Sequence, residues 1–195
     1  MICTRRHILS ATGLSALTTL FQPAHAARPS IVVPIDSKRL PAHVRSSMER
    51  FMALAIEQAR RNPMYPFGAV IVNELSGKIL ARGVNKAREN PMLHGEMVAM
   101  NEYVSHHGNR GWADATLYTT GEPCSMCMSA IVWTGIGGVV WASSIDAIRS
   151  SGIGQIDLRA DEVVSRSTSF YRPKKLVSGV LADQTDQLFI SRVRV

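Results

Sequence analysis

The chain has 195 residues, 22 of them Lys or Arg and 15 Asp or Glu, for a formal charge of +7, and 46% of it is hydrophobic. That length allows one domain with a core of its own, and three cysteines exclude a disulfide framework of the kind small secreted proteins use. The excess charge is modest and scattered, in small clusters such as Arg60-Arg61 and Arg172 with Lys174-Lys175, so the pattern lacks the single basic face that phosphate contacts favour.

In chain order, Met1 to Ala26 opens on the basic Thr4-Arg5-Arg6-His7. It continues through a moderately apolar run from Ile8 to Phe21 and ends Ala24-His25-Ala26. A basic start, a short apolar stretch and an A-x-A site make a secretory signal peptide, and the paired arginines are those of the twin-arginine kind. The run is too short and too polar to stay in a bilayer as a helix, so no membrane insertion is expected after cleavage. Cleavage removes Arg5 and Arg6 and no acid, which leaves +5 on a mature chain starting at Ala27. The expected location is the periplasm or the exterior.

Residues 27–43 read as an irregular, Pro-containing arm before a catalytic domain at 44–195. From Val44 to Arg61 the apolar residues Met48, Phe51, Met52, Ala55, Ile56 and Ala59 recur at helical spacing, and Asn62-Pro63 ends that helix. Residues 66–73 and 78–84 are two apolar, β-rich runs across a turn, a hairpin. After a polar loop from Asn85 to Leu93, a helix opens at His94 and runs to about His106-His107-Gly108. A strand is predicted over 115–120, a second helix over Cys124 to Trp133 with Gly135 as its cap, and a strand over 138–142. Beyond that, a short helix over 161–165, a strand near 176–181 and a last helix to about Val193 complete the pattern. The order β-β-α-β-α-β predicts an α/β fold, a three-layer α/β/α sandwich around a central mixed sheet.

Two short stretches carry chemistry, His94-Gly95-Glu96 and Pro123-Cys124-Ser125-Met126-Cys127. Each lies where a loop enters a helix. Cys124 and Cys127 are spaced i,i+3 and share one helix face, and a helix N-terminus favours thiolates. Two thiolates and an imidazole supply three ligands for Zn²⁺ and leave a fourth position for water, as a catalytic zinc requires and a closed structural site does not. Such an ion lowers the pKa of water from about 16 to roughly 7. Glu96, two residues from His94, is then free to move protons.

The joint pattern H-x-E…P-C-x-x-C is that of the zinc nucleobase deaminases. The chain resembles the cytidine deaminase-like superfamily, and within it the branch of guanine deaminases, cytosine deaminases and tRNA adenosine deaminases. The likeness covers roughly residues 44–193 and rests on 66–72, 90–99 and 117–127. It implies zinc at His94, Cys124 and Cys127, a proton shuttle at Glu96, a base-holding amide at Asn73 and a homodimer. The branch leaves the substrate open. Gly95 stands, as in the cytosine deaminases, where the tRNA enzymes usually carry Ala, and Asn90-Pro91 replaces the family's Asp-Pro, whereas residues 179–183 resemble the C-terminal segment of the tRNA enzymes. Export sets the expectation as hydrolytic deamination of a free nucleobase or nucleoside, a guanine-type purine ahead of cytosine, with no nucleic-acid partner. The alternative is a tRNA adenosine deaminase that makes inosine.

The remaining chemistry-bearing side chains have plainer readings. His106 and His107 are expected as exposed helix-end residues and Trp133 and Trp141 as core. Trp112, in a polar loop, is left open between core packing and stacking on a base. Glu122 is expected to be structural, bonding the turn that presents Cys124.

Overall fold

The computed structural model describes residues 31–194, so the leader lies outside the described residues. Six strands form one mixed sheet: β1 (Ile35–Asp36), β2 (Gly68–Asn73), β3 (Lys78–Val84), β4 (Thr116–Gly121), β5 (Gly138–Ser143) and β6 (Lys175–Ser178). The order across the sheet is β1-β6-β5-β4-β2-β3. The hairpin β2–β3 and the β2–β4 pair are antiparallel, whereas β4–β5, β5–β6 and β1–β6 are parallel. Helices α1 (Ala42–Arg60), α2 (Gly95–His107), α3 (Ser125–Thr134), α4 (Ile145–Ser150), α5 (Ala160–Arg166) and α6 (Ala182–Ile190) complete the chain.

The period-2 alternation of the strands divides the core in two. Ala69, Ile71, Leu117, Val139 and Trp141 face α2, α3 and α5, while Val70, Val72, Tyr118, Val140 and Val177 face α1. This is the three-layer sandwich the pattern predicts. Helices approach the sheet closely where side chains are missing. A Cβ on Gly83 would lie 2.0 Å from the Gly95 carbonyl oxygen, so β3 and the first turn of α2 touch backbone to backbone. Among the described residues no helix is long and apolar enough to cross a membrane.

Two elements differ from the sequence reading. Within the stretch read as an irregular arm, Ile35–Asp36 pairs in parallel with β6 through Val177 and Ser178. A two-residue strand is too short to show a period. The helix α4 also goes unread from sequence, because six residues span under two turns and give no amphipathic repeat.

Candidate active site

The loop between β3 and α2 is shaped by Asn90, whose Oδ1 accepts from the Met92 backbone N–H at 3.0 Å, a side-chain turn that Asn favours. The Lys86 N–H donates to the Leu93 carbonyl at 2.8 Å and closes the loop. His94 follows in extended conformation (φ −65°, ψ 162°) as the residue that caps α2. Pro123 leads in the same way to Cys124 (φ −61°, ψ 166°), which caps α3. Neither makes the side-chain cap bond that Ser or Asp makes at such a position, and the two turn toward each other.

They meet, and Cys127 joins them from the first turn of α3. His94 Nδ1 lies 3.6 Å from Cys124 Sγ and 3.6 Å from Cys127 Sγ, and one ligand atom from each residue falls within 4.8 Å of the others. A tetrahedral ion with bonds of about 2.3 Å to sulfur and about 2.0 Å to nitrogen separates such atoms by about 3.6 Å. Both the donor set and its spacing therefore fit zinc. The three residues are coupled electrostatically. Its hydrogen bond with Cys127, aided by His94, holds the Cys124 thiol down to about 4 against the effect of burial. The same bond, with burial and the nearby Glu96, pushes Cys127 well above the ordinary thiol range. The bond to Cys124, against burial, raises His94.

Glu96 is buried beside this cluster, 3% exposed. Its Oε1 accepts from Thr119 Oγ1 at 3.1 Å, and its Oε2 faces Cys127 Sγ at 3.6 Å. Burial, and then the charge of Cys124, raise its pKa above the ordinary carboxyl value. A carboxyl poised this way, within reach of the metal ligands, is suited to proton transfer.

Asn73 does not join them. It ends β2, five residues from Gly68 at the site end, or roughly 17 Å along an extended strand. Its Oδ1 accepts from the Ser76 N–H at 3.0 Å and from Ser76 Oγ at 3.1 Å, so the amide holds the hairpin turn. The amide at the site end of the hairpin is Asn85, just after β3 and 5% exposed. Its N–H donates to the Phe67 carbonyl, and its Oδ1 accepts from the Ala87 N–H. The signal available in sequence was an Asn directly after the second strand of the hairpin, on the side where His94 returns.

The other singled-out residues also find places. Trp141 is core, and so is Trp112, stacked on Tyr103 with ring centroids 4.0 Å apart. Trp133, expected in the core, is 79% exposed because its position on α3 turns away from the sheet, and it packs against Phe170. His106 is exposed, whereas the half-buried His107 reaches the Leu80 carbonyl with Nε2 at 3.2 Å. Glu122 is buried, and its carboxylate bonds helix starts further along the chain. A cavity of about 740 Å³ opens beside Asn85, lined by Arg61, Arg82, Lys86 and Arg88 among others, and none of the three clustered residues lines it.

Residues 45–143 match the cytidine and deoxycytidylate deaminase zinc-binding region. Over 99 residues the chain is 38% identical to a tRNA-specific adenosine deaminase of Streptococcus pyogenes serotype M18, covering 48% of this chain and 61% of that protein, so it spans about three fifths of this relative's length. It is 33% identical over 134 residues to a tRNA-specific adenosine deaminase of Rickettsia felis, covering 66% of this chain and 88% of that one. The structure of a guanine deaminase from Nitrosomonas europaea superposes with a TM-score of 0.64 over 77% of this chain and 91% of its own, at 21% identity, a likeness of fold.

Proposed function

The chain belongs to the cytidine and deoxycytidylate deaminase zinc-binding family, and from that premise we propose that it hydrolyses the exocyclic amine of a free nucleobase or nucleoside, a guanine-type purine ahead of cytosine, and releases ammonia. The observation that carries the reaction is the buried Glu96 carboxyl 3.6 Å from Cys127 Sγ, beside a His94–Cys124–Cys127 cluster spaced for zinc. We assign those three residues as the ligands. Zinc held there supplies Lewis acidity and brings the pKa of water to roughly 7. Glu96 would accept the first proton of the attacking water and hand it to a ring nitrogen, then take the remaining proton from the hydroxyl of the tetrahedral adduct and give it to the amine, which leaves as ammonia while the carbonyl forms. Thr119 holds the carboxyl in one orientation through its 3.1 Å hydrogen bond. Asn85, in place of Asn73, presents its amide N–H₂ to the base. Phe67 lies against Gly121 and packs on Phe189 with centroids 4.8 Å apart, an apolar wall for a flat ring.

The proposal includes export by the leader at residues 1–26 and cleavage before Ala27, which places the enzyme among free bases and nucleosides. Fractionation of cells should find the mature chain outside the cytoplasm, and Arg5→Lys with Arg6→Lys should hold it inside. It also includes a homodimer, supported by the exposed Trp133–Phe170 pair at 79% and 61% exposure, since a monomer has reason to cover a wide apolar patch. A monomer by light scattering at micromolar concentration removes that part.

A second reading, adenosine editing in tRNA, is supported by the Streptococcus and Rickettsia relatives and by the cavity. Arg61, Arg82, Lys86 and Arg88 line it, and none of the four is ion-paired among the described residues. One experiment separates the readings: ammonia release by the zinc-loaded protein from guanine, cytosine, adenine and their nucleosides, beside inosine formation in an anticodon stem-loop. Turnover of a free base or nucleoside is expected. Turnover of the stem-loop alone overturns the first reading in favour of the second.

A further inference from the structure

Among the described residues, Glu122 is the buried carboxylate near the cluster that the proposed reaction leaves unused. It is 3% exposed and sits between the last residue of β4 and Pro123, one residue short of Cys124. Its backbone N–H donates to the Ser143 carbonyl at 2.7 Å, extending the parallel β4–β5 pairing past the strand end. Its side chain then crosses to elements later in the chain. Oε2 accepts from the Ile145 N–H at 3.1 Å, the first residue of α4. Oε1 accepts from the Ala160 N–H at 2.9 Å, the first residue of α5, and from Arg159 Nε at 2.9 Å. Arg159 Nη1 donates in turn to Asp146 Oδ2 at 2.6 Å.

One carboxylate thus ties the starts of two helices to the strand end that delivers Cys124. The linkage to the metal cluster is short and stiff. The residue between is Pro123, whose ring fixes φ, and Cys124 immediately caps α3, where Cys127 is fully buried. Both sulfurs lie 3.6 Å from His94 Nδ1, and the strand end that Glu122 holds is the one that leads into them. A carboxylate that served stability alone needed neither this place in the chain nor three charge-assisted bonds made at once.

We propose that Glu122 is a positioning residue for the zinc site, and that α4 and α5 act through it and Arg159 as a brace holding Cys124 at ligand distance. The inference rests on the metal assignment above and is tested without turnover. Zinc affinity, measured by chelator competition, and the visible spectrum of the Co²⁺ form report the sulfur geometry, and heat denaturation of the zinc-free protein reports stability separately. Glu122→Gln keeps the shape but replaces an acceptor oxygen with a donor. Arg159→Met removes the guanidinium bond from a side chain that is 37% exposed, and so tests the brace should Glu122→Gln fail to fold. Lys175→Met, at the far end of the sheet, is the control for general destabilisation. Expected is zinc binding weaker by about 10- to 100-fold in Glu122→Gln, the range typical of groups that orient metal ligands. A smaller loss in the same direction is expected for Arg159→Met, with a changed Co²⁺ spectrum in both and no change in Lys175→Met. The brace is overturned if both variants lose stability yet bind zinc as tightly, with the same Co²⁺ spectrum, as the unaltered protein. Failure of the unaltered protein to take up zinc overturns the metal assignment itself, and the brace with it.

Discussion

Glu96 and Glu74 sit at opposite ends of the same sheet, and the fold treats one carboxyl in two ways. At the site end Glu96 is buried with no cation bonded to it; burial and the neighbouring Cys124 thiolate favour its protonated form, so its pKa is raised. At the other end Glu74 follows β2, accepts from Tyr118 Oη at 2.6 Å and pairs with Lys175 at the start of β6. Burial pushes that carboxyl up as well, but the Lys175 and Tyr118 hydrogen bonds outweigh it and the pKa is lowered. Two carboxyls both near the core differ in whether a lysine and a phenol bond them directly. A carboxyl held above its ordinary pKa takes up and returns a proton more readily, whereas a lowered one stays a charge and holds chain together.

The sharpest way to break this comparison is to neutralise each carboxyl in turn. Glu96→Gln is expected to keep zinc and fold and to lose at least about 10²–10⁴-fold in ammonia release, because an amide cannot shuttle protons. Glu74→Gln is expected to leave the rate unchanged. Comparable rates for Glu96→Gln and the unaltered protein would remove Glu96 from the chemistry.

Next in size is the metal. Cys127→Ala removes one of the three assigned ligands, and ligand binding to the folded state alone stabilises it by about 4 kcal/mol at a thousandfold excess over Kd. The zinc-dependent rise in Tm should vanish in this variant while the zinc-free Tm changes little. Full zinc content by elemental analysis in Cys127→Ala would contradict the ligand assignment.

A third test concerns Gly95, which lies between His94 and Glu96. A Cβ there would sit 2.9 Å from the Phe67 carbonyl oxygen, closer than real contacts allow. Gly95→Ala must therefore shift backbone at the Phe67 wall, at a cost of about 1–3 kcal/mol for overpacking. Phe67 is in position to transmit that shift to a base lying against it, so KM should rise more than kcat falls. A variant as stable as the original, with unchanged KM, would show that the wall yields freely. The same contact gives a physical reason for Gly at a position where the tRNA enzymes that this segment resembles carry Ala.

How much of this was legible in sequence depended on whether the information was local. The hairpin, the motif helices and their capping residues follow from apolar spacing and turn residues within short windows, and the cluster follows from residue types with strong metal chemistry. Asn73 and Asn85 show where that stops. Both are asparagines at strand ends of one hairpin, and only the antiparallel pairing of β2 with β3 tells which end faces His94. Trp133 was misplaced for a related reason. The helix around it carries no charged residue, and only Ser129 and Thr134 are polar nearby, too weak a face to announce which side is outward. The bonds of Glu122 reach 23 and 38 residues along the chain, and no window on sequence contains them.

The smallest expected effect is the most direct check on the Glu74 end. Removing Lys175 as Lys175→Met deletes a partly exposed ion pair, worth about 0.2–1 kcal/mol at neutral pH. The sign with pH follows from the lowered pKa of Glu74. A carboxyl that is more acidic folded than unfolded contributes stability above its ordinary value of 4.5, and that contribution is lost as pH falls through the folded value. The unaltered protein should therefore be more stable than Lys175→Met at pH 7, and the gap should close as pH falls below the ordinary carboxyl value of 4.5. In the variant Tyr118 alone of the two bonded partners still opposes burial, so Glu74 should titrate higher than in the unaltered protein and the two curves converge as pH falls. Denaturant unfolding of both proteins between pH 3 and pH 7 measures this directly. A gap that stays constant across that range would mean that Lys175 stabilises the sheet end through its packed methylenes and not through the charge of Glu74, and the contrast between the two carboxyls would then rest on Tyr118 alone.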